Sequence, residues 1–341
     1  MRKIQTAVIG YGLSGKFFHV PPLVDHDHFT IKYIMTKNKD SIQELNHTYP
    51  SIKIINSLDE ALSDQDIDLV IIATSNDVHG LYTRKAILAG KHVLVEKPFV
   101  ESYAEAKELF ELAVKHHVLL RVYHNRIYDG DIITMQKLLK EVDFGRIISF
   151  TARFDRYTPH IPENWRYKEG IMAGIYYDLA PHLIYDALEF FGYPESVYLE
   201  RYQTRDYATV DDAFEMKLYY PNLIVYLGSE VMMREERPRF EIKGTKKTYV
   251  KYGFDVPDQV YYPSSNIYQE SHLRSIIIDE SLNRKDVPLY LGTHYQFYEK
   301  LAEDMINLSH HDEIQEKALT VILIMEKGLI SEQEKRVVKI F

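Results

Sequence analysis

Over its first 125 residues the chain alternates short apolar runs with amphipathic stretches, and this alternation constrains the fold more than any other feature. The runs are IQTAVIG (4–10), TIKYIMT (30–36), DLVIIAT (68–74), HVLVEK (92–97) and VLLRVYH (118–124). They are rich in β-branched residues and show little polar alternation, the pattern of strands covered on both faces. Between them lie helix signals. Ser57 and Glu60 in SLDE form a capping box, residues 77–90 read as a helix ending at Gly90, and Ser102 in SYAE caps a helix to about His117. Strands separated by helices imply parallel βαβ units and a doubly wound sheet.

The pattern then changes. GRIISFTARF (145–154) reads as a long strand, followed by a loop over 157–170 and a helix from about Asp178 to Phe191. Candidate strands follow with few helices between them: 195–205, 212–220, 223–232, 238–243 and 247–252. Such a run predicts an antiparallel sheet. The expected fold class is therefore α/β: an N-terminal doubly wound domain over 1–123, then an α+β domain over 124–341 with a largely antiparallel open sheet. Helical patterns over 294–309 and 312–328 are expected to pack back on the first domain.

Composition excludes some functions. The net charge is −9 with both signs interspersed, which argues against nucleic acid or an anionic membrane as partner. There is no cysteine, so thiolate chemistry and Cys-based zinc sites are excluded. The N-terminus is basic, but its apolar stretch is shorter than a signal peptide requires, and no run is long enough to span a bilayer. The expectation is a soluble, cytoplasmic protein.

After the first strand, Gly10-Tyr11-Gly12-Leu13-Ser14-Gly15 matches G-x-G-x-x-G. Gly10 permits the tight turn, Gly12 a close approach of a pyrophosphate, and Gly15 close packing of helix on sheet. The helix N-terminus offers free N–H groups to phosphates. Between strand and helix, at the head of βα units, the motif points to a Rossmann dinucleotide site that includes Leu13 and Ser14. An acidic residue about 20 residues on would hold the ribose of NAD. The second strand ends instead in Met35-Thr36-Lys37-Asn38-Lys39. Thr36 and Asn38 can bond a 2′-phosphate and Lys37 or Lys39 can pair with it, which favours NADP(H) over NAD(H).

Thr74 and Asn76 stand at the tip of the third strand, where α/β sheets bind ligands. His79 follows, and the next strand ends on Glu96-Lys97-Pro98. These residues complete the expected cofactor pocket, with Glu96 on the cofactor side and Lys97 toward a reacting oxygen.

The glycine turn, AGKHVLVEKPF (89–99) and YYDLAPHLIYD (176–186) together make the chain resemble the Gfo/Idh/MocA oxidoreductases. Further stretches, among them GLSGKFFHVPPL (12–23), DRYTP (155–159) and NWRY (164–167), are similar to the subgroup containing NADP-linked scyllo-inositol dehydrogenases. The resemblance implies that Lys97, Asp178 and His182 face the substrate, and that the Lys97–Pro98 bond is cis. Asp178 and His182, four apart, share a helix face. The chemistry implied is oxidation of an alcohol carbon and its reverse, on a polyol or sugar. His182 is the natural base, Lys97 stabilises the alkoxide, and Asp178 orients the substrate or His182. Either Lys97 or His182 can take the proton. Asn125, Arg126, Trp165 and Arg166 are weaker candidates for substrate contacts. The family's common Asn-Arg-Arg is here Asn125-Arg126-Ile127. Rival readings are another sugar or cyclic diol, a non-catalytic nucleotide sensor, and half of a metal site at Asp178 and His182. No further His or Glu stands at a ligand spacing, so no metal is expected. The resemblance also implies a homodimer or homotetramer through the second sheet.

Overall fold

The computed structural model describes residues 2–163, 165–254, 274–310 and 312–341, and the side chain of Trp165 lies outside this set. Its contacts divide the chain into Met1–Asn125 with His294–Leu319, and Arg126–Thr293 with Thr320–Phe341.

In the first unit, β1 (Ile4–Ile9), β2 (Phe29–Met35), β3 (Lys53–Ile55), β4 (Leu69–Ile72), β5 (His92–Val95) and β6 (Leu120–Val122) form one parallel sheet, ordered β3-β2-β1-β4-β5-β6. The order reverses between β1 and β4, so their C-terminal ends open a crevice. Its connections include α1 (Val20–Val24), α2 (Lys39–Thr48), α3 (Leu58–Leu62), α4 (His79–Leu88) and α5 (Tyr103–Lys115). The caps read from sequence are present. Glu60 accepts the Ser57 N–H at 3.1 Å, and Ser102 Oγ accepts the Glu105 N–H at 3.2 Å. The short strand β3 was not expected. It has only three residues, and pairing with β2 defines it.

The helix after the glycine turn departs from regular α geometry over Gly15–His19, a π-helical segment that leads into α1. Pro21 and Pro22 explain part of this, because neither has an N–H to donate. The carbonyl of Phe18, four residues before Pro22, accepts instead from the Tyr123 hydroxyl at 3.0 Å.

In the second unit, α6 (Gly130–Glu141), β7 (Ile147–Arg153) and α7 (Ile175–Phe191) precede β8 (Ser196–Tyr202), β9 (Ala213–Tyr220), β10 (Leu223–Glu230), β11 (Phe240–Gly244) and β12 (Thr248–Tyr252). β13 (Arg274–Ile278) and β14 (Arg284–Asp286) follow. Then come α8 (Tyr295–Asn307), which belongs to the first unit, α9 (Glu313–Glu334) and β15 (Val338–Lys339). Among the described residues the sheet order is β14-β13-β12-β11-β7-β10-β9-β8-β15. It is mostly antiparallel but mixed, since β7 pairs parallel with β10. Phe150 and Ala152 alternate inward from β7 and are fully buried in one core with Tyr176, Leu183 and Ile184 of α7. Each large apolar side chain so buried contributes roughly 2 kcal/mol. α7 starts one turn earlier than the sequence suggests. Gly174 precedes it at φ +94°, and the Asp211 carboxylate accepts the Tyr176 N–H at 2.8 Å. Pro181 therefore lies inside the helix, in its second turn. No described helix is long and apolar enough to cross a membrane.

Candidate functional site

The glycine turn is built by steric exclusion. Gly10 has φ +109°, and a Cβ there would overlap the Ala73 carbonyl at the tip of β4. A Cβ on Gly15 would overlap the Gly10 carbonyl. Both positions therefore admit only glycine without a backbone shift. Gly12 differs, because a Cβ there meets nothing within 4 Å. The open space over Gly12, with Leu13 43% exposed beside it, fits a pyrophosphate lying against the backbone.

The tip of β5 continues into a cis Lys97–Pro98 bond. Glu96 is 8% exposed. It does not project into the crevice. Its Oε1 accepts from Ser14 Oγ and lies 3.0 Å from His19 Nε2, and its Oε2 accepts the Lys97 N–H at 3.1 Å. Burial pushes the carboxyl's pKa up, but the His19 bond and charge, the Lys97 charge and the Ser14 bond outweigh it and bring it to about 2. Lys97 is half-buried at the tip.

His79 is fully buried, with Nδ1 2.8 Å from the Pro98 carbonyl and Nε2 3.3 Å from that of Thr74. It braces the tip of β4 against the Lys-Pro turn from beneath. Burial lowers its pKa. Asn76 is buried beside it and Thr74 is half-buried. Thr36 is buried and its Oγ1 accepts the Asn38 N–H at 3.3 Å. The Asn38 side chain caps α2 by accepting from Ser41 N–H at 2.9 Å, which commits it to the helix. Lys37 and Lys39 are exposed, and neither forms an ion pair among the described residues.

Sequence reading passed over His124. It lies two residues past the end of β6, near enough to Lys97 for that charge to act on it. Burial, with the Lys97 charge adding to it, lowers its pKa to about 3 and keeps the ring neutral. Asn125 is also buried, its amide 3.3 Å from His294.

In the second unit, α7 carries Asp178 and His182. His182 is 5% exposed, with its ring edge-on to Phe154 at 6.5 Å. Asp178 is partly exposed, and Arg166 Nε lies 3.8 Å from its carboxylate. Arg126 pairs with Asp129 at 3.0 Å and lies over the Phe154 ring. One turn beyond His182, Asp186 is buried, 3.5 Å from Arg239. Burial raises its pKa to about 7 against the opposing charge of Arg239. Asp211, which anchors α7, had no sequence signal because it lies 35 residues from the Tyr176 it holds. Among the described residues no cluster of three or more His, Asp or Glu side chains could hold a metal ion.

The chain that carries these residues is similar to known proteins. Residues 4–124 match the oxidoreductase family model with the NAD-binding Rossmann fold, and residues 132–250 the GFO/IDH/MocA C-terminal domain. The chain is 31% identical to the Bacillus subtilis scyllo-inositol 2-dehydrogenase (NADP(+)) IolW, over 98% of this chain and 95% of that protein. A D-xylose dehydrogenase of Paenarthrobacter nicotinovorans is 28% identical over 45% of this chain and 41% of its own length. A solved oxidoreductase from Bacillus cereus superposes with a TM-score of 0.85 at 27% identity, covering 99% of this chain and 98% of that one. The chain thus belongs to the Gfo/Idh/MocA family of oxidoreductases and is a dehydrogenase carrying a nicotinamide-dinucleotide-binding Rossmann domain.

Proposed function

We propose that the protein moves a hydride between NADP(H) and a hydroxyl-bearing or keto carbon of a polyol or sugar, scyllo-inositol being the first candidate. The observation that carries this reading is the union of the glycine turn with the Lys97 backbone through the single carboxylate of Glu96. Gly10, Gly12, Leu13, Ser14 and Gly15 would hold the pyrophosphate, with Thr36, Thr74 and Asn76 at the neighbouring strand tips. When bound, the dinucleotide supplies the hydride acceptor or donor. Lys97 offers an ammonium to the substrate oxygen as negative charge develops there. His182 takes the hydroxyl proton in the oxidative direction, a role imidazole side chains commonly fill. Asp178 orients a neighbouring hydroxyl, and Arg166 tethers Asp178.

The NADP(H) preference rests on the absence of a carboxylate from Met35 to Lys39 and on the two exposed, unpaired lysines. The relative from Bacillus subtilis supports it by name. The sheet face of the second unit turned away from its core, with Thr151 and Tyr226 half-buried on it, suits pairing with a second copy. Light scattering after size exclusion reads this directly, and a monomer refutes it.

The decisive experiment is an absorbance screen of inositols, aldoses and sugar acids with both cofactors. Turnover of a polyol or sugar with NADP supports the reading, and binding of nucleotide without turnover of any diol or sugar overturns it in favour of a sensor. Lys37→Glu is expected to cut the NADP over NAD preference in kcat/KM by about tenfold, the size of one charged contact.

A further inference from the structure

A buried chain of side chains runs beneath the glycine turn, and the proposed chemistry uses Ser14, Glu96 and Lys97 but not His19 or Tyr298. His19 is fully buried. Its Nε2 lies 3.0 Å from Glu96 Oε1, and its Nδ1 2.6 Å from the Tyr298 hydroxyl. Ser14 Oγ donates to the same carboxylate oxygen, and the Lys97 N–H donates to the other. The Tyr123 ring lies 4.4 Å from the imidazole and closes its remaining side. Tyr298 comes from α8, 279 residues from His19 in sequence.

The arrangement has a physical requirement. A carboxylate this buried is costly unless its oxygens are bonded. Ser14 Oγ and His19 Nε2 face Oε1, and the Lys97 N–H faces Oε2. An ionised carboxylate only accepts, so the His19 nitrogen that faces it carries the proton, and the Tyr298 hydroxyl at the opposite ring nitrogen fixes which way the imidazole points. Without His19, Glu96 loses its main support and is free to turn toward water in the crevice. Ser14 and Lys97 would then lose their common anchor, and a carboxylate would stand where phosphates must approach.

We propose that His19 is a positioning residue for dinucleotide binding, acting through Glu96 on Ser14 and the Lys97 backbone, with Tyr298 holding its ring in place from the C-terminal helix. This rests on the nucleotide-dependent function proposed above. Neither His19 nor Tyr298 touches the ligand.

The test is fluorescence titration of NADPH and NADH into the wild type, His19→Leu, His19→Gln and Tyr298→Phe, with melting curves recorded free of nucleotide. His19→Leu is expected to weaken NADPH binding about tenfold, the scale of one hydrogen bond to a charged group. His19→Gln, whose amide can still donate to Glu96, should stay within about threefold of wild type, and Tyr298→Phe should lose about threefold. That rescue separates positioning from a purely structural role, which would lower the melting temperature and leave affinity unchanged. Wild-type affinity in both His19→Leu and Tyr298→Phe overturns the proposal. If His19→Leu does not fold, Tyr298→Phe, which removes one oxygen, decides alone. A wild type that binds neither dinucleotide overturns the nucleotide reading itself, whereas binding by wild type and variants alike overturns only the role of His19.

Discussion

The glycine turn with the Glu96-Lys97 tip, and the face of α7 with Asp178 and His182, are held in place by opposite means. At the first, the backbone is decisive. Gly10 and Gly15 exclude any side chain, and His79, Glu96 and His19 are buried and bonded beneath them. At the second, one glycine and one carboxylate set the start of a helix, and the functional side chains vary from the buried His182 to the partly exposed Asp178 with its long contact to Arg166. On the function proposed above, the difference follows from what each would recognise. A pyrophosphate is the same in every dinucleotide and can be met by fixed N–H groups. A polyol differs from substrate to substrate, and side chains on a helix and loops can be exchanged without rebuilding the sheet.

If that contrast is correct, substitutions should separate it. The largest effects belong to the two strained glycines. Gly10→Ala and Gly174→Ala each force a Cβ into a positive-φ position and against fixed atoms, Ala73 in one case and Asp211 at 2.5 Å in the other. Each should cost about 3 kcal/mol in denaturant unfolding. Gly10→Ala should also abolish NADPH binding, whereas Gly174→Ala should spare it and depress kcat. Loss of NADPH binding in both would erase the distinction.

Next is Lys97→Ala. Turnover should fall at least about a hundredfold while NADPH binding persists, since the group acts on the reacting oxygen. Near-normal kcat would remove Lys97 from the chemistry.

A smaller effect tests the buried charges under α7. The Asp186 carboxyl, raised by burial to about 7 in the folded state, holds a proton there that the unfolded chain releases near the ordinary carboxylate value. Its contribution to stability therefore falls as pH rises from about 4 to about 7. Asp186→Asn removes that penalty, so the variant's stability relative to wild type should improve by about 2 kcal/mol between pH 5 and pH 8. A pH-independent difference would show the group to be ionised throughout.

The smallest structural effect belongs to Gly12→Ala. Its Cβ meets open space, so the melting temperature should stay within about 1 °C while NADPH affinity drops about tenfold, because the methyl occupies the approach of the pyrophosphate. A lowered melting temperature with unchanged affinity would make Gly12 a structural glycine like Gly10.

How much of this was legible beforehand depends on whether the signal was local. The parallel strands, the capping boxes and the glycine turn are written in neighbouring residues, and the structure forms them where the pattern places them. Of the shorter pieces, β3, β14 and β15 were missed, because two or three residues carry no period and pairing alone defines them, and β13 and α2 were missed as well. α6 over Gly130–Glu141 has no counterpart among the helices expected from the sequence. The start of α7 was misplaced by one turn because its anchor, Asp211, is remote. His79 and Glu96 were assigned to the cofactor by their position at strand tips. Position along a strand says which end a residue reaches, but not which way its side chain turns.

The sequence alone determined the class of site: a G-x-G-x-x-G after an apolar strand, a Glu-Lys-Pro at the tip of another, and Asp178 with His182 on one helical face. Only the tertiary structure decided how those pieces are supported. It brought residues 14, 19, 96 and 298 into one buried chain of contacts, and it turned Glu96 inward to meet them. The reason is physical. Helical and strand periods act over a few residues and leave their trace in the sequence. Satisfying a buried charge requires partners from wherever the fold delivers them, and no local pattern records that choice.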